Sequence, residues 1–279
     1  MIVHMKQTIT QYAMVILLIV GAYFLGVYKT QVEYLQKSTN TAAQGQQVQQ
    51  TTQPAAPTTV DIGKVKAIFA DKSNLIFGNP DSKVLFVEFS DPSCPYCHAA
   101  GGLDGVLNKA MGGQFTLAAD GGSYSAAVPE MRKLVEAGKA ALAWIFVPGH
   151  GNGEMGTMAM YCANEQGKFW PVHDLLMSDA GYQIMNGYDS AQQPAKGPVV
   201  KNDRSKSGIL ADFLKSAIDP GFMKSCLDSG KYAPRLTSDP QIGSSFGATA
   251  TPTFIVNDRF VEGAVGWTQG FKPVVDPLL

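Results

Sequence analysis

The stretch "SDPSCPYCHAAGG", Ser90 to Gly102, sets Cys94 and Cys97 two residues apart with His98 directly behind them. Three chemistries use that pattern: C-x-x-C is a dithiol redox motif, half of many zinc sites and, with a following His, the attachment signature of haem. Zinc needs four ligands, and the other two cysteines, Cys162 and Cys226, stand far apart and outside any ligand-spaced pair. No metal site is expected. Haem would need a loop that wraps a porphyrin edge, with Met155 or Met158 as a second axial ligand. A strand running straight into the motif and the stiff Pro95 within it argue against that. A redox pair needs one exposed thiolate, a second thiol within disulfide reach and a means of lowering the first pKa. A helix starting near Pro95 supplies that means, because its free N–H groups and dipole favour an anion at Cys94, and a proline at the first helical position loses no hydrogen bond. Cys94 is therefore the expected nucleophile and Cys97, one turn inside, the buried resolving thiol. A protonated His98 would add positive charge beside Cys94; otherwise it reads as a first-turn surface residue. No cofactor is expected.

The elements that must hold this pair are legible around it. "KVLFVEFSD", Lys83 to Asp91, is a short Val- and Phe-rich run of the kind that forms a buried central strand, and the cysteines follow it at once. "AALAWIFVPGHG" predicts a second strand ending at Pro148, and "TPTFIVNDRFVEGA" predicts two strands turned at Asn257 and Asp258. Between them Met155, Met158, Ala159 and Cys162 recur at helical spacing, as do Phe169, Val172, His173 and Leu176, then Leu210, Phe213, Leu214 and Ala217. Asp219 reads as an N-cap with Pro220 at the first helical position. The order is strand, cysteines, helix, strand, helical block, closing hairpin: an α/β domain interrupted by helices.

The remaining features bound the function classes. A net charge of −1, with no basic run, gives no reason to expect nucleic acid, and 45% hydrophobic content supports a real core. Gln7 to Tyr28 carries no charge, and at about 1.5 Å per residue it spans the roughly 30 Å hydrocarbon core of a bilayer. No small-x-small cleavage site follows it closely, so it reads as an anchor rather than a removed signal. Ser38 to Val60 is glutamine-rich, uncharged and without apolar period, and reads as a flexible tether. The expected organisation is an anchor with flanks at 1–37, a disordered linker at 38–60, an α/β domain in two parts at 61–150 and 239–279, and a helical insertion at 151–238.

From about Val60 onward the chain resembles the thioredoxin-fold disulfide oxidoreductases of the DsbA family. The resemblance rests on "VEFSDPSCPYC", "YCANEQGKFWPVHDLLM" and "TATPTFIVND", in that order. It implies a thioredoxin-like fold with an inserted helical domain. It also implies roles for single residues: Pro95 and Tyr96 as the dipeptide between the cysteines, Pro252 as the cis-proline facing the pair, and Thr251 as a source of backbone groups for an extended substrate peptide. Glu88 matches a buried acid beneath the resolving cysteine that relays its proton. Trp170 and His173 match family positions that read as core. Some relatives carry a second disulfide where Cys162 and Cys226 stand, which would make these a structural bridge. The implied function is a membrane-tethered, extracytoplasmic oxidase that introduces disulfides into reduced exported proteins and is reoxidised by a DsbB-like or vitamin K epoxide reductase-like membrane protein. The alternatives are an isomerase or reductase of the same fold, against which no dimerisation domain precedes the fold, and a non-catalytic peptide-binding chaperone. Two stretches depart from the family pattern: an insertion near 101–127 beside the motif, and a polar lengthening of the helical block near 181–208.

Overall fold

The computed structural model describes residues 59–279. The anchor expected at Gln7 to Tyr28 and nearly all of the 38–60 tether lie outside the described residues; among these, no helix is long and apolar enough to cross a membrane. The chain enters through α1 (Ile62–Ala70), whose start is capped by Asp61, and forms the edge strand β1 (Leu75–Gly78). Strand β2 (Val84–Ser90) leads into α2 (Pro95–Gly101), the motif helix. Next come α3 (Gly105–Ala110), α4 (Ala127–Glu136) and β3 (Ala140–Phe146). The helical block follows as α5 (Glu154–Asn164), α6 (Phe169–Leu176), α7 (Asp179–Asn186), α8 (Ser207–Phe213), α9 (Pro220–Ser229) and α10 (Arg235–Ser245). Strands β4 (Thr253–Val256) and β5 (Arg259–Glu262) close the sheet, and a short helix, α11 (Lys272–Val275), follows.

The sheet order is β1-β3-β2-β4-β5. Strands β2 and β3 run parallel and every other pair antiparallel. Both central strands are buried along all their residues, which is why each reads as a continuous apolar run rather than an alternation. Side chains still alternate between faces. Leu85, Val87, Phe89, Ala143 and Ile145 face a layer made by α1 and α10, while Val84, Phe86, Leu142 and Trp144 face α2, α4 and the helical block. By the same alternation Glu88 and Ser90 belong to the second face, under the motif helix. Helix α10 runs across residue 238, so the last helix before β4 is continuous and packs on the α1 side of the sheet. Cys162 on α5 and Cys226 on α9 form a disulfide within the helical block.

Two elements escape the apolar pattern of the sequence. Strand β1 is four residues long and only partly buried, and α1 carries three buried residues, so neither has enough period to register. The 181–208 stretch reads as a polar loop, but it opens within α7, whose Tyr182, Ile184, Met185 and Asn186 are buried.

Candidate active site

Strand β2 delivers the site. It ends at Ser90, a turn closed by Cys94 N–H to Asp91 O (2.9 Å) reverses the chain, and Cys94 takes the N-cap position of α2 with Pro95 behind it. Both cysteines are free thiols. The Cys94 Sγ lies 3.4 Å from the carbonyl oxygen of Thr251, and the Thr251–Pro252 peptide is cis, so the loop before β4 faces the motif helix. Cys97 is fully buried, and its sulfur accepts the Asp91 N–H at 3.4 Å.

The two thiols are pushed apart in acidity. The pKa of Cys94 falls from 9.0 to about 7, chiefly because the Cys97 thiol donates to its sulfur, and Thr251 adds a smaller effect in the same direction. Burial raises Cys97 well above the ordinary thiol, and the Cys94 charge adds to this. An attacking thiolate beside a neutral partner is the division of labour that thiol–disulfide exchange requires.

The surroundings differ from the expected exposed thiolate with a cationic neighbour. Cys94 is only 4% exposed. The segment after β3 covers it: a Cβ on Gly149 would collide with the Thr251 hydroxyl and sit 3.6 Å from Cys94 Cβ, so only glycine fits there. His98 is neither a surface residue nor a cation. It is fully buried, its Nε2 bonds Pro92 O at 2.8 Å, and burial lowers its pKa to about 4, leaving it neutral at pH 7. The cause is tertiary: Tyr182 of α7 packs edge-on against the ring at 5.1 Å, and Asp104, itself buried and raised to about 6 by burial, stands 3.9 Å from Nδ1. Tyr96, half exposed, packs against Phe115, which in turn meets Tyr124. The 101–127 insertion therefore flanks the cysteines and ties back to the chain end through Tyr124 Oη, which donates to Ala264 O at 3.1 Å.

Glu88 is buried, and burial raises its pKa; the charge of His173 and contact with Ser90 oppose this. Contact with Ser90 likewise favours the ionised form of Cys97, so this hydroxyl sits beside both groups. Asp91 and Ser93 are not singled out by the sequence, where they read as turn residues. Asp91 is fully buried and accepts four hydrogen bonds: from Ser93 N (2.8 Å) and Ser93 Oγ (2.7 Å) on its own turn, and from Gly149 N (2.8 Å) and His150 N (2.9 Å) across the site. Asn186 of α7 donates to Ser93 O at 3.0 Å and accepts from Asn152 at 3.1 Å. This polar clasp fixes the covering segment to the motif turn. The only sequence signal for it is an acid directly after an apolar strand.

The arrangement is that of a thioredoxin-like protein, with a mixed sheet, a dithiol at the motif helix and a cis-proline loop opposite. The Thioredoxin family model matches residues 125–275, more than half of the chain, and the chain belongs to that family. The match begins after the cysteines, so their part in the site rests on the geometry above. No curated protein matches the chain. Among solved structures it is similar to the thiol-disulfide exchange protein alpha-DsbA2 from Wolbachia pipientis, at 17% identity and a TM-score of 0.50, covering 78% of this chain and 94% of that one. It is similar to Chlamydia trachomatis DsbA at 18% and 0.50, covering 75% and 92%. The catalytic domain of Proteus mirabilis ScsC matches at 18% and 0.50, covering 77% and 94%. At these identities the likeness is one of fold.

Proposed function

We propose that the protein is a thiol:disulfide oxidoreductase that works as an oxidase outside the cytoplasm, held at the cell membrane by the Gln7–Tyr28 segment. The observation that carries the chemistry is the divergence of the two thiols, Cys94 lowered to about 7 and Cys97 raised, opposite the Thr251–Pro252 loop. In the oxidised enzyme a substrate thiolate attacks Cys94 and Cys97 leaves with the electron pair. The substrate's second thiolate then attacks the mixed disulfide, and Cys94 departs as a thiolate. The substrate is left oxidised and the enzyme reduced by two electrons, which a DsbB-like or vitamin K epoxide reductase-like membrane partner would remove. Reduced exported proteins are the substrate class, their extended chain pairing with the Thr251 backbone.

A specific observation favours a second reading, reductase or isomerase. Stabilising the Cys94 thiolate by about two pKa units raises the potential by only about 60 mV. A strong oxidant of this fold has a cysteine near about 3.5, and thioredoxin one near about 7. The weaker depression has local causes: a neutral His98 adds no positive charge, and the Asp91 carboxylate opposes the thiolate. The redox equilibrium of the full-length protein with glutathione, with Cys94→Ser as control, decides between them. An oxidising pair that vanishes in the control supports the oxidase; a potential as low as that of thioredoxin overturns it.

A further inference from the structure

Glu88 and His173 are both buried, and each has one polar atom, Oε2 and Nε2, without a protein partner. Buried polar atoms are nearly always paired, so two such atoms on facing elements call for a common explanation. Packing sets their relative position. Glu88 stands beside Trp144 in the β2–β3 register, Trp144 meets the Phe169 ring at 6.0 Å, and Phe169 stacks on the His173 ring at 5.7 Å. The imidazole thus lies over the strand pair that carries the carboxyl, near enough for its charge to act on Glu88. On the ring's other edge, Nδ1 meets Asp174 Oδ1 at 3.0 Å, and Asp174 Oδ2 accepts from Arg132 Nη1 at 2.9 Å. Arg132, Trp170, His173 and Asp174 line an open pocket of about 260 Å³, and the Asp174 side chain is 38% exposed. The Nδ1 edge of the ring therefore meets a solvent-open pocket, and the buried, unpaired Nε2 edge faces the interior.

We propose that His173 is a proton outlet of the buried site, carrying protons between Glu88 and the pocket. The proposal rests on reading Cys94 and Cys97 as an exchanging pair. When a thiolate bonds to Cys94, the S–S bond breaks and Cys97 leaves with its electron pair in surroundings too dry for the charge. Glu88 supplies a proton by way of the Ser90 hydroxyl and is left as a carboxylate. His173 returns a proton to Glu88 from Nε2 as Nδ1 takes one up from the pocket by way of the Asp174 carboxylate, so the ring ends neutral with its proton on Nδ1. One proton enters for each Cys97 thiol formed, and it leaves by the same path on reoxidation. The charged and titratable groups around His173 are Glu88 on β2, His98 on α2, Asp174 on α6, and Arg132, Lys133 and Glu136 on α4.

The test is stopped-flow reduction of the oxidised full-length protein by dithiothreitol across pH, in wild type, His173→Ala and His173→Gln. Loss of the relay should slow His173→Ala by roughly tenfold or more near pH 7, and added imidazole should restore its rate while leaving wild type unchanged. His173→Gln keeps polarity and bulk but cannot carry a proton, and should stay slow. Wild-type rates and pH profiles in both variants would overturn the outlet, as would a fast Gln variant beside a slow Ala variant that imidazole does not rescue. If His173→Ala does not fold, the solvent deuterium isotope effect on His173→Gln decides: a rise above wild type supports the outlet, and no change overturns it. Absence of exchange in the wild type would sink the redox reading and the outlet together, whereas exchange that is intact and indifferent to His173 sinks the outlet alone.

Discussion

The two cysteines share a helix turn and differ in acidity because the Cys97 thiol donates to the Cys94 sulfur, while full burial and the neighbouring Cys94 charge keep Cys97 protonated. That difference should be visible in alkylation. Iodoacetamide should modify Cys94 of the reduced protein with a midpoint near pH 7 and leave Cys97 unmodified until the protein unfolds; a midpoint near 9 would refute the assignment. The sign for stability follows from linkage. Because the folded pKa of Cys94 lies below the unfolded value of 9.0, the stability it gives the reduced form is fully present above pH 9 and is lost as the pH falls through about 7. Asp91 acts at the same scale in two ways. Asp91→Ala removes the acceptor of the buried Ser93 N–H and of the exposed Gly149 and His150 N–H groups, which should cost roughly 1–3 kcal/mol in urea denaturation. It also removes a negative charge that raises the Cys94 pKa, so the alkylation midpoint should move below that of wild type. An unchanged midpoint would mean that the carboxylate only holds the segment in place.

Between elements, the junction of α10 with α5 and β3 depends on one buried acid. Asp239 is fully buried and accepts from Tyr161 Oη (2.7 Å) and Phe146 N (3.3 Å), while the Arg235 guanidinium pairs with it and lies over the Tyr161 ring at 5.2 Å. Burial raises the pKa of Asp239, and Tyr161, Arg235 and the Phe146 N–H hold it down. Arg235→Met leaves that charge without its counter-ion, an arrangement that costs about 3–5 kcal/mol. Thermal unfolding near neutral pH should show the loss, and it should shrink as the pH is lowered and Asp239 takes a proton. A loss that does not vary with pH would assign Arg235 a packing role over Tyr161 instead. The strand β3 that receives this contact also leads into Gly149 and His150, so the same junction supports the cover over Cys94.

For the whole molecule, the helical block is the part that adds most to a thioredoxin-like sheet, and the Cys162–Cys226 disulfide closes a loop of 64 residues within it. Replacing both cysteines by alanine should lower stability by about 4 kcal/mol in the loop-entropy picture, read from the denaturant midpoint at constant slope. Exchange by Cys94 should persist under conditions where the variant stays folded, since neither Cys162 nor Cys226 touches the motif. Loss of exchange in a folded variant would instead tie the block's internal order to the site. The block reaches the site through α7, whose Asn186 bonds the Ser93 carbonyl and whose Tyr182 covers His98.

Local chemistry was legible in the sequence wherever it depends on near neighbours along the chain. Cys94 as N-cap with Pro95 in the first turn, the central strand ahead of it, the Asn257 turn between β4 and β5 and the Asp219 cap of α9 all follow from types and spacing within a few residues. The environment of the pair was not legible, because it is assembled from segments far apart in the chain. Gly149 and Thr251 bury Cys94, Tyr182 and Asp104 bury His98 and hold it neutral, and Asp91 gathers N–H donors from both sides of the site. A pKa is set by desolvation and by charges within a few ångströms, and those distances exist only after the chain has folded. The sequence determined which two sulfurs stand one turn apart at the start of a helix; the tertiary structure decided how acidic each is and what covers them.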